Sequence, residues 1–386
     1  MNKIIFIFLL AALLIFSAAG CVAGESANSD ISEPISDTIQ ANEPLSMSEA
    51  ASDLQSSAAA SIAEEPTPDN SWEFDIPKNH AVNGELLAKL HEVAAKESGI
   101  HSIITVKDGY IIDEYYSEEY NESSVFRLAS CSKSFSGALI GIAIDQGILT
   151  GTDAKLVEFF PQLADDAAKQ EITIENLLTH TSGIEWYEWN GGNSFGLLNR
   201  SENWIDYIFS QSMTSEPGAV FNYTTGGSHL LAAVLQEATG EIAYEFGLKH
   251  LFEPMGMDSV EWRTDPQGFT DGGNGISMTA RDAAKFGQLY LDGGKWKDRQ
   301  IISEAWVEES VKVQFARSSN SGSYGYQWWL RPFGEGNYDT YYAMGHGGQY
   351  IFVVPELRLV TVITSRFQDT YAPWPYFTDY VLAACG

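Results

Sequence analysis

The stretch that decides the fold runs Phe126-Arg127-Leu128-Ala129-Ser130-Cys131-Ser132-Lys133-Ser134-Phe135-Ser136-Gly137-Ala138-Leu139-Ile140-Gly141-Ile142-Ala143-Ile144. From Phe135 onward the apolar positions fall nearly all round a helical period, so this helix is expected to be buried on every side. Ser130 and Lys133 stand three apart at its start and share one face. A serine alcohol is a weak nucleophile at neutral pH and needs a base beside it. A lysine can serve if it is neutral. Burial and the positive end of a helix both disfavour its charged form. The Ser130 backbone N–H points outward at the helix start, where it can donate to an oxyanion. Ser-x-x-Lys by itself is common, and an N-capping serine with a solvated lysine gives the same pattern. The apolar surround argues against that bland reading, since Lys133 would have to emerge from a buried element. Ser132, Ser134 and Ser136 compete for the nucleophile role, yet only Ser130 has a lysine three residues on.

Outward from this helix, both ends of the chain read as strands. Asn83-Gly84-Glu85 opens a helix with Leu86, Leu87, Leu90, Val93 and Ala94 on one face. His101 to Val106 and Tyr110 to Tyr116 form a hairpin around the turn Lys107-Asp108-Gly109. The region from about 130 to 255 is richer in helical pattern and loops. Strands return at Tyr324 to Pro332, Gln349 to Val354 and Leu357 to Ser365, with Pro355-Glu356 as a turn. Trp374 to Ala384 closes as a helix. The expected class is α+β, an α/β sandwich. One antiparallel sheet is formed from both ends of the chain with flanking helices, and a mainly helical region is inserted.

Lys and Arg total 22 against 52 Asp and Glu, a formal charge of −30. That field repels phosphate backbones, so no nucleic-acid partner is expected, nor adhesion to anionic lipid through a basic patch. Three cysteines are too few for a disulfide framework. The seven histidines show no HExxH or paired-ligand spacing, so neither metal nor cofactor is expected.

The N-terminus reads separately. Lys3 precedes an unbroken apolar run, Ile4 to Phe16, which suits a signal peptide better than a membrane span. Ser17-Ala18-Ala19-Gly20-Cys21 resembles a bacterial lipobox, with Ala18 where Leu is usual. Residues 1–21 are thus expected to be a lipoprotein-type signal, and Cys21 a lipid anchor. An ordinary secretory signal gives the same location, outside the cytoplasm. Residues 22–70 hold ten acidic residues and ten serines, with no Lys, Arg or aromatic residue. Such a segment cannot offset its ordering entropy and reads as a disordered tether spanning roughly 40 Å. Residues 71–386 form the expected folded domain, with a charge of −21.

Five blocks follow one another along that domain. They are Ser130-Cys131-Ser132-Lys133-Ser134-Phe135; Leu177-Leu178-Thr179-His180-Thr181-Ser182-Gly183-Ile184; Pro217-Gly218 with Phe221 and Tyr223; Asn274-Gly275-Ile276 with Met278-Thr279-Ala280-Arg281-Asp282; and Gly345-His346-Gly347-Gly348. Together they resemble the serine β-lactamase and penicillin-binding-protein superfamily. The closer likeness is to its class C β-lactamase-like branch, which includes D-alanyl-D-alanine peptidases, serine esterases and 6-aminohexanoate-dimer hydrolases. The resemblance implies a β-lactamase/transpeptidase-like fold and an acyl-enzyme on Ser130. Lys133 and Tyr223 become acid/base partners, either of which could be the acylation base. Thr225 stands where that second motif usually ends in Asn, which puts the usual substrate contact in question.

The third motif usually carries a cation and a hydroxyl. Here it is His346-Gly347-Gly348, with His346 only partly charged near neutral pH and the glycines admitting backbone close to substrate. The Gln349 N–H would be the second oxyanion donor. The implied activity is hydrolysis of a small ester, amide or peptide outside the cytoplasm. Without a fixed cation, an uncharged substrate is expected and β-lactams are expected to react slowly. The rivals are a non-catalytic penicillin- or peptidoglycan-binding protein, a true β-lactamase, and a D-Ala-D-Ala carboxypeptidase. The oligomeric state is left open.

Gly192-Asn193-Ser194-Phe195-Gly196 matches the G-x-S-x-G elbow, but the residues before it do not read as the strand that elbow needs. A loop lining a cleft is expected instead, with Trp186, Tyr187 and Trp189 as candidate apolar contacts. His180 reads as structural and Cys131 as packing.

Overall fold

The computed structural model describes residues 70–188 and 192–386. The expected signal segment, Cys21, nearly all of the expected tether and Trp189 lie outside the described residues.

Among the described residues eight strands form the main sheet, in the order Glu73–Phe74, Tyr110–Tyr116, Ile100–Lys107, Leu359–Ser365, Gln349–Val354, Tyr338–Gly345, Trp329–Phe333 and Ser323–Tyr324. Only the two-residue edge strand Glu73–Phe74 runs parallel to its neighbour. The two ends of the chain meet in the middle, where Leu359–Ser365 pairs antiparallel with Ile100–Lys107. Side chains alternate along these strands with period two. Ile104, Val106, Ile351, Val353, Val360 and Val362 enter one core. Ile103, Tyr350, Phe352, Val354, Leu359 and Ile363 enter the other. Helix Ala280–Leu291 lies over the first face. It comes so close that a Cβ on Gly287 would sit 2.5 Å from Val360. Helix Gly84–Ala94 and the closing helical segment Tyr376–Cys385 pack together on the second face. The fold is therefore a mainly antiparallel sheet between helical layers, the expected class. No sheet strand lies within the described residues between Ser132 and Met255.

Three features differ from the sequence reading. The run Tyr324 to Pro332 is not one strand but a tight hairpin in which Trp329 pairs with Tyr324. Gln327, at φ +62°, makes the reversal. Its side chain donates to the carbonyls of Leu177 and Leu178 and accepts from Ser228, which plugs the turn into the helical region. Strand Tyr338–Gly345 is not anticipated, because residues 340–343 are buried on both faces and no polar alternation marks them. The last strand starts at Leu359, since Pro355–Leu357 forms a 3₁₀ turn and Arg358 takes a left-handed φ of 48°.

Phe352 is fully buried and stacks on Phe377 of the closing segment at 4.0 Å and on Tyr350 at 4.6 Å. Phe352→Ala should therefore cost about 3–5 kcal/mol. Urea denaturation should show a lowered midpoint at an unchanged slope.

Candidate active site

A small sheet delivers the chain to Ser130. Val125–Arg127 pairs with Ile276–Thr279, and the Leu128 N–H donates to the Ile276 carbonyl. Ala129 then takes φ +47°, a costly conformation for a residue with a Cβ. Ser130 consequently sits in a 3₁₀ turn, Ala129–Cys131, just before helix Ser132–Asp145 and not within it. The Ser132 hydroxyl pins that turn: it donates to the Ala129 carbonyl at 2.6 Å and accepts from the Ile276 N–H at 3.0 Å. Every residue from Ser132 to Ala143 is buried, as the all-round apolar pattern requires.

Lys133 is 1% exposed, which excludes a solvated first-turn lysine. Its Nζ lies 3.1 Å from Ser130 Oγ, 3.1 Å from Thr225 Oγ1 and 2.6 Å from the Gly273 carbonyl oxygen. Burial pulls its pKa down to about 8, against the opposing charges of Glu188 and Asp271. Its Nζ is also 4.9 Å from the centre of the Tyr223 ring. The Tyr223 and Ser130 hydroxyls share a hydrogen bond, while burial and the charge of Glu188 hold the phenol well above its ordinary pKa. Ser130, Lys133 and Tyr223, read from three places in the sequence, thus meet at one point.

His180 braces this group. Its Nδ1 accepts from the Thr224 N–H, so the proton is on Nε2, which donates to the Tyr324 hydroxyl. Burial holds its pKa well below the usual value, so the ring is neutral. It packs 4.5 Å from the Tyr223 ring, and Trp329 stacks on Tyr223 at 5.6 Å.

A cavity of about 780 Å³ opens onto Ser130 and Tyr223. The third-motif strand forms one wall through Met344, Gly345 and His346. A Cβ on Gly345 would lie 2.2 Å from the Leu128 carbonyl, so only glycine lets this strand edge meet the Ser130 turn. Gln349, whose backbone N–H is the expected second oxyanion donor, is not among the residues lining the cavity. Gly347 and Gly348, at φ +86° and +87°, reverse the chain between two strands. The Gln349 side chain is then folded against Ser365 and the His346 carbonyl. The two glycines are likewise placed by that turn, and their carbonyls accept from the Ser365 hydroxyl. His346 alone of this group faces the cavity.

Further cavity residues escaped the sequence reading, Glu188, Arg127, Arg317 and Asp369 among the charged ones. Glu188 accepts from the Thr225 hydroxyl at 2.5 Å, from the Thr225 N–H at 3.2 Å and from the Trp186 indole at 2.5 Å. Arg127 and Arg317 also line the cavity. Arg317 stacks on Phe221 at 4.0 Å, and burial lowers its pKa. Glu188 and Arg317 come from loops with no spacing signal, and Arg127 stands beside the Ser130 motif without being one of its positions. Ser194, the G-x-S-x-G decoy, is buried at the start of a five-residue helix, where its hydroxyl accepts from the Tyr187 N–H and bonds to the Tyr207 hydroxyl. Trp186 is buried against Tyr207, whereas Tyr187 is half exposed. Among the described residues no group of His, Cys, Asp or Glu is placed to hold a metal, and no helix is long and apolar enough to cross a membrane.

Residues 90–384 match the Beta-lactamase family model. The 6-aminohexanoate-dimer hydrolase of Paenarthrobacter ureafaciens is 25% identical over 300 residues, 72% of this chain and 75% of that protein. Penicillin-binding protein 4 of Amycolatopsis lactamdurans is 25% identical over 291 residues, 64% and 75% of the two chains. The solved penicillin-binding protein homologue of Pyrococcus abyssi superposes with a TM-score of 0.61 at 21% identity, over 78% of this chain and 76% of that one. That last likeness concerns the fold alone. This chain belongs to the beta-lactamase family, and its relatives include both a 6-aminohexanoate-dimer hydrolase and a penicillin-binding protein.

Proposed function

From membership of that family, we propose that the protein is a serine hydrolase that cleaves an ester or amide through an acyl-enzyme on Ser130. The supporting observation is the buried Lys133 ammonium, 3.1 Å from Ser130 Oγ, with its pKa pulled to about 8. Neutral Lys133 takes the Ser130 proton as Oγ attacks the carbonyl carbon. The pair of electrons displaced onto the carbonyl oxygen is met by backbone N–H groups of Ser130 and, across the cavity, of His346. Tyr223, whose phenol keeps its proton, passes one to the leaving group and is recharged from Lys133. Water then retraces the path to release the acid. The opposite pKa directions favour Lys133 as the acylation base and Tyr223 as the acid.

Arg127 and Arg317 change the expected substrate. The cavity has permanent cations although the third motif has none, so a substrate carboxylate fits it as well as a neutral ester does. That favours an anionic amide or β-lactam as a second substrate class.

Ser130→Ala should abolish hydrolysis of p-nitrophenyl butyrate and all fluorophosphonate labelling, with an unchanged circular dichroism spectrum. A tenth or more of the native turnover in that variant means a different nucleophile. In the native protein a fluorescent-penicillin label that appears and clears marks turnover. A label that persists marks the rival binding protein.

Because the base is neutral Lys133, kcat/KM should rise tenfold per pH unit below about 8 and level off above it. A rise continuing towards ~10.4, the value of an ordinary lysine, removes burial as the cause.

We also place the enzyme outside the cytoplasm, anchored through Cys21. The support is sequence alone: the apolar run, the lipobox-like Ser17 to Cys21 and the acidic tether. Cys21→Ser should move the protein from the membrane fraction to the soluble one with its activity kept. Unchanged membrane association would rule the anchor out.

A further inference from the structure

Lys133 has three hydrogen-bond contacts, and its chemistry depends on which of them receives the lone pair. A neutral amine offers two N–H bonds and one lone pair. The Gly273 carbonyl carries no proton, so it must receive an N–H. Thr225 and Ser130 are hydroxyls, and each can either donate or accept. If Thr225 donates to the lone pair, an N–H is left facing Ser130, and the nucleophile has no base. If Thr225 accepts, the lone pair faces Ser130. The two arrangements use the same atoms at the same distances, and the Ser-x-x-Lys spacing does not choose between them.

Glu188 does choose. An ionised carboxylate only accepts, and Thr225 Oγ1 lies 2.5 Å from Glu188 Oε1. The Thr225 proton is therefore committed outward, and Thr225 can only accept from Lys133. Glu188 is itself held in place: its other oxygen accepts from the Trp186 indole at 2.5 Å and the Thr225 N–H at 3.2 Å. We infer that Glu188 is a positioning residue that acts through Thr225 to turn the Lys133 lone pair onto Ser130. This rests on the reading of Ser130 and Lys133 given above. The chain of donors runs Ser130 to Lys133 to Thr225 to Glu188. The Tyr223 hydroxyl then takes the donor's part in its bond to Ser130. On attack, the Ser130 proton passes to Lys133 and the freed electron pair forms the bond to the carbonyl carbon.

The charge of Glu188 has a separate effect. It favours the protonated lysine and so opposes the pull of burial on Lys133. Loss of the charge moves the acid limb of the pH profile to lower pH. Loss of the orientation lowers the plateau above that limb, where Lys133 is neutral in either case. A role confined to stability moves neither.

The test is the pH profile of kcat/KM for p-nitrophenyl butyrate in Glu188→Gln, Thr225→Val and Thr225→Ser. A glutamine can present its amide N–H to Thr225 and reverse the chain. Glu188→Gln is therefore expected to lower the plateau about 10–100-fold, the worth of one charge-assisted hydrogen bond, and to move the limb to lower pH. Thr225→Val should lower the plateau similarly. Thr225→Ser, which keeps the hydroxyl, should recover to within about threefold of the native protein. A plateau within about twofold of native in Glu188→Gln overturns the inference, whatever the limb does. If Glu188→Gln does not fold, the Val and Ser pair decides: equal plateaus overturn the inference and a tenfold gap upholds it. Ser130→Ala run alongside separates the two failures. If it remains active, the nucleophile reading fails. If it is inert while the Glu188 and Thr225 variants match the native protein, only the role of Glu188 fails.

Discussion

The burial of one ammonium group governs this architecture. Taking Lys133 out of water costs several kcal/mol after relaxation, and among the described residues no carboxylate touches it to offset that cost. The structure compensates in pieces. Helix Thr225–Thr239 begins where it places the Thr225 hydroxyl against Nζ, and the chain at Gly273 contributes a carbonyl. The approach at Gly273 is so close that a Cβ there would lie 2.7 Å from Thr225. Glu188 and Asp271 act on the lysine from a distance. Desolvation outweighs these attractions, and the pKa comes to rest near 8. A contacting acid would have kept the lysine charged and useless as a base. The absence of a direct ion pair at Lys133 therefore has a chemical consequence, and the hydroxyl between it and Glu188 is what maintains that separation.

Much of this was legible in the sequence, for physical reasons that differ from place to place. Tyr110–Tyr116 was readable because the Asp108-Gly109 turn supplies the two positive φ values that a tight hairpin needs. Helix Ser132–Asp145 was readable because a helix buried all round has no polar stripe. Tyr338–Gly345 was not, since its middle residues are buried on both faces and strand alternation disappears there. Tyr324 to Trp329 looked continuous because Gln327 reverses the chain in a buried place, where a glutamine satisfies three partners that the sequence does not reveal. Gly347 and Gly348, both at positive φ, turn the chain before Gln349 is reached, a reversal that the motif spacing does not show. Glu188 and Arg317 reach the site from loops with no periodicity, so only the folded chain reveals them.

The charge distribution also changes meaning once the cavity is known. A domain carrying −21 should repel anions. Yet Arg127 and Arg317 both face the cavity, and Arg317 has no carboxylate in contact among the described residues, unlike Arg263, Arg281 and Arg358. One of its nitrogens, Nη1, is buried without an acceptor. A cation left unpaired in so acidic a protein is available to a ligand carboxylate without first breaking an internal ion pair.

The aromatic rings around Tyr223 tie these parts together. His180 packs against the phenol ring, Trp329 stacks on it, and Arg317 lies 5.4 Å from the Trp329 ring. A phenol held this way keeps its hydroxyl on Ser130, and burial keeps that hydroxyl protonated while Lys133 is neutral. In the proposed mechanism Lys133 takes the serine proton, which would put a new cation 4.9 Å from the same ring. A nearby positive charge favours a phenolate, so in that mechanism the step that makes Lys133 an ammonium would ready Tyr223 to give its proton away. The two groups are matched because one burial pushes them in opposite directions: the lysine down towards neutrality, the tyrosine up away from ionisation.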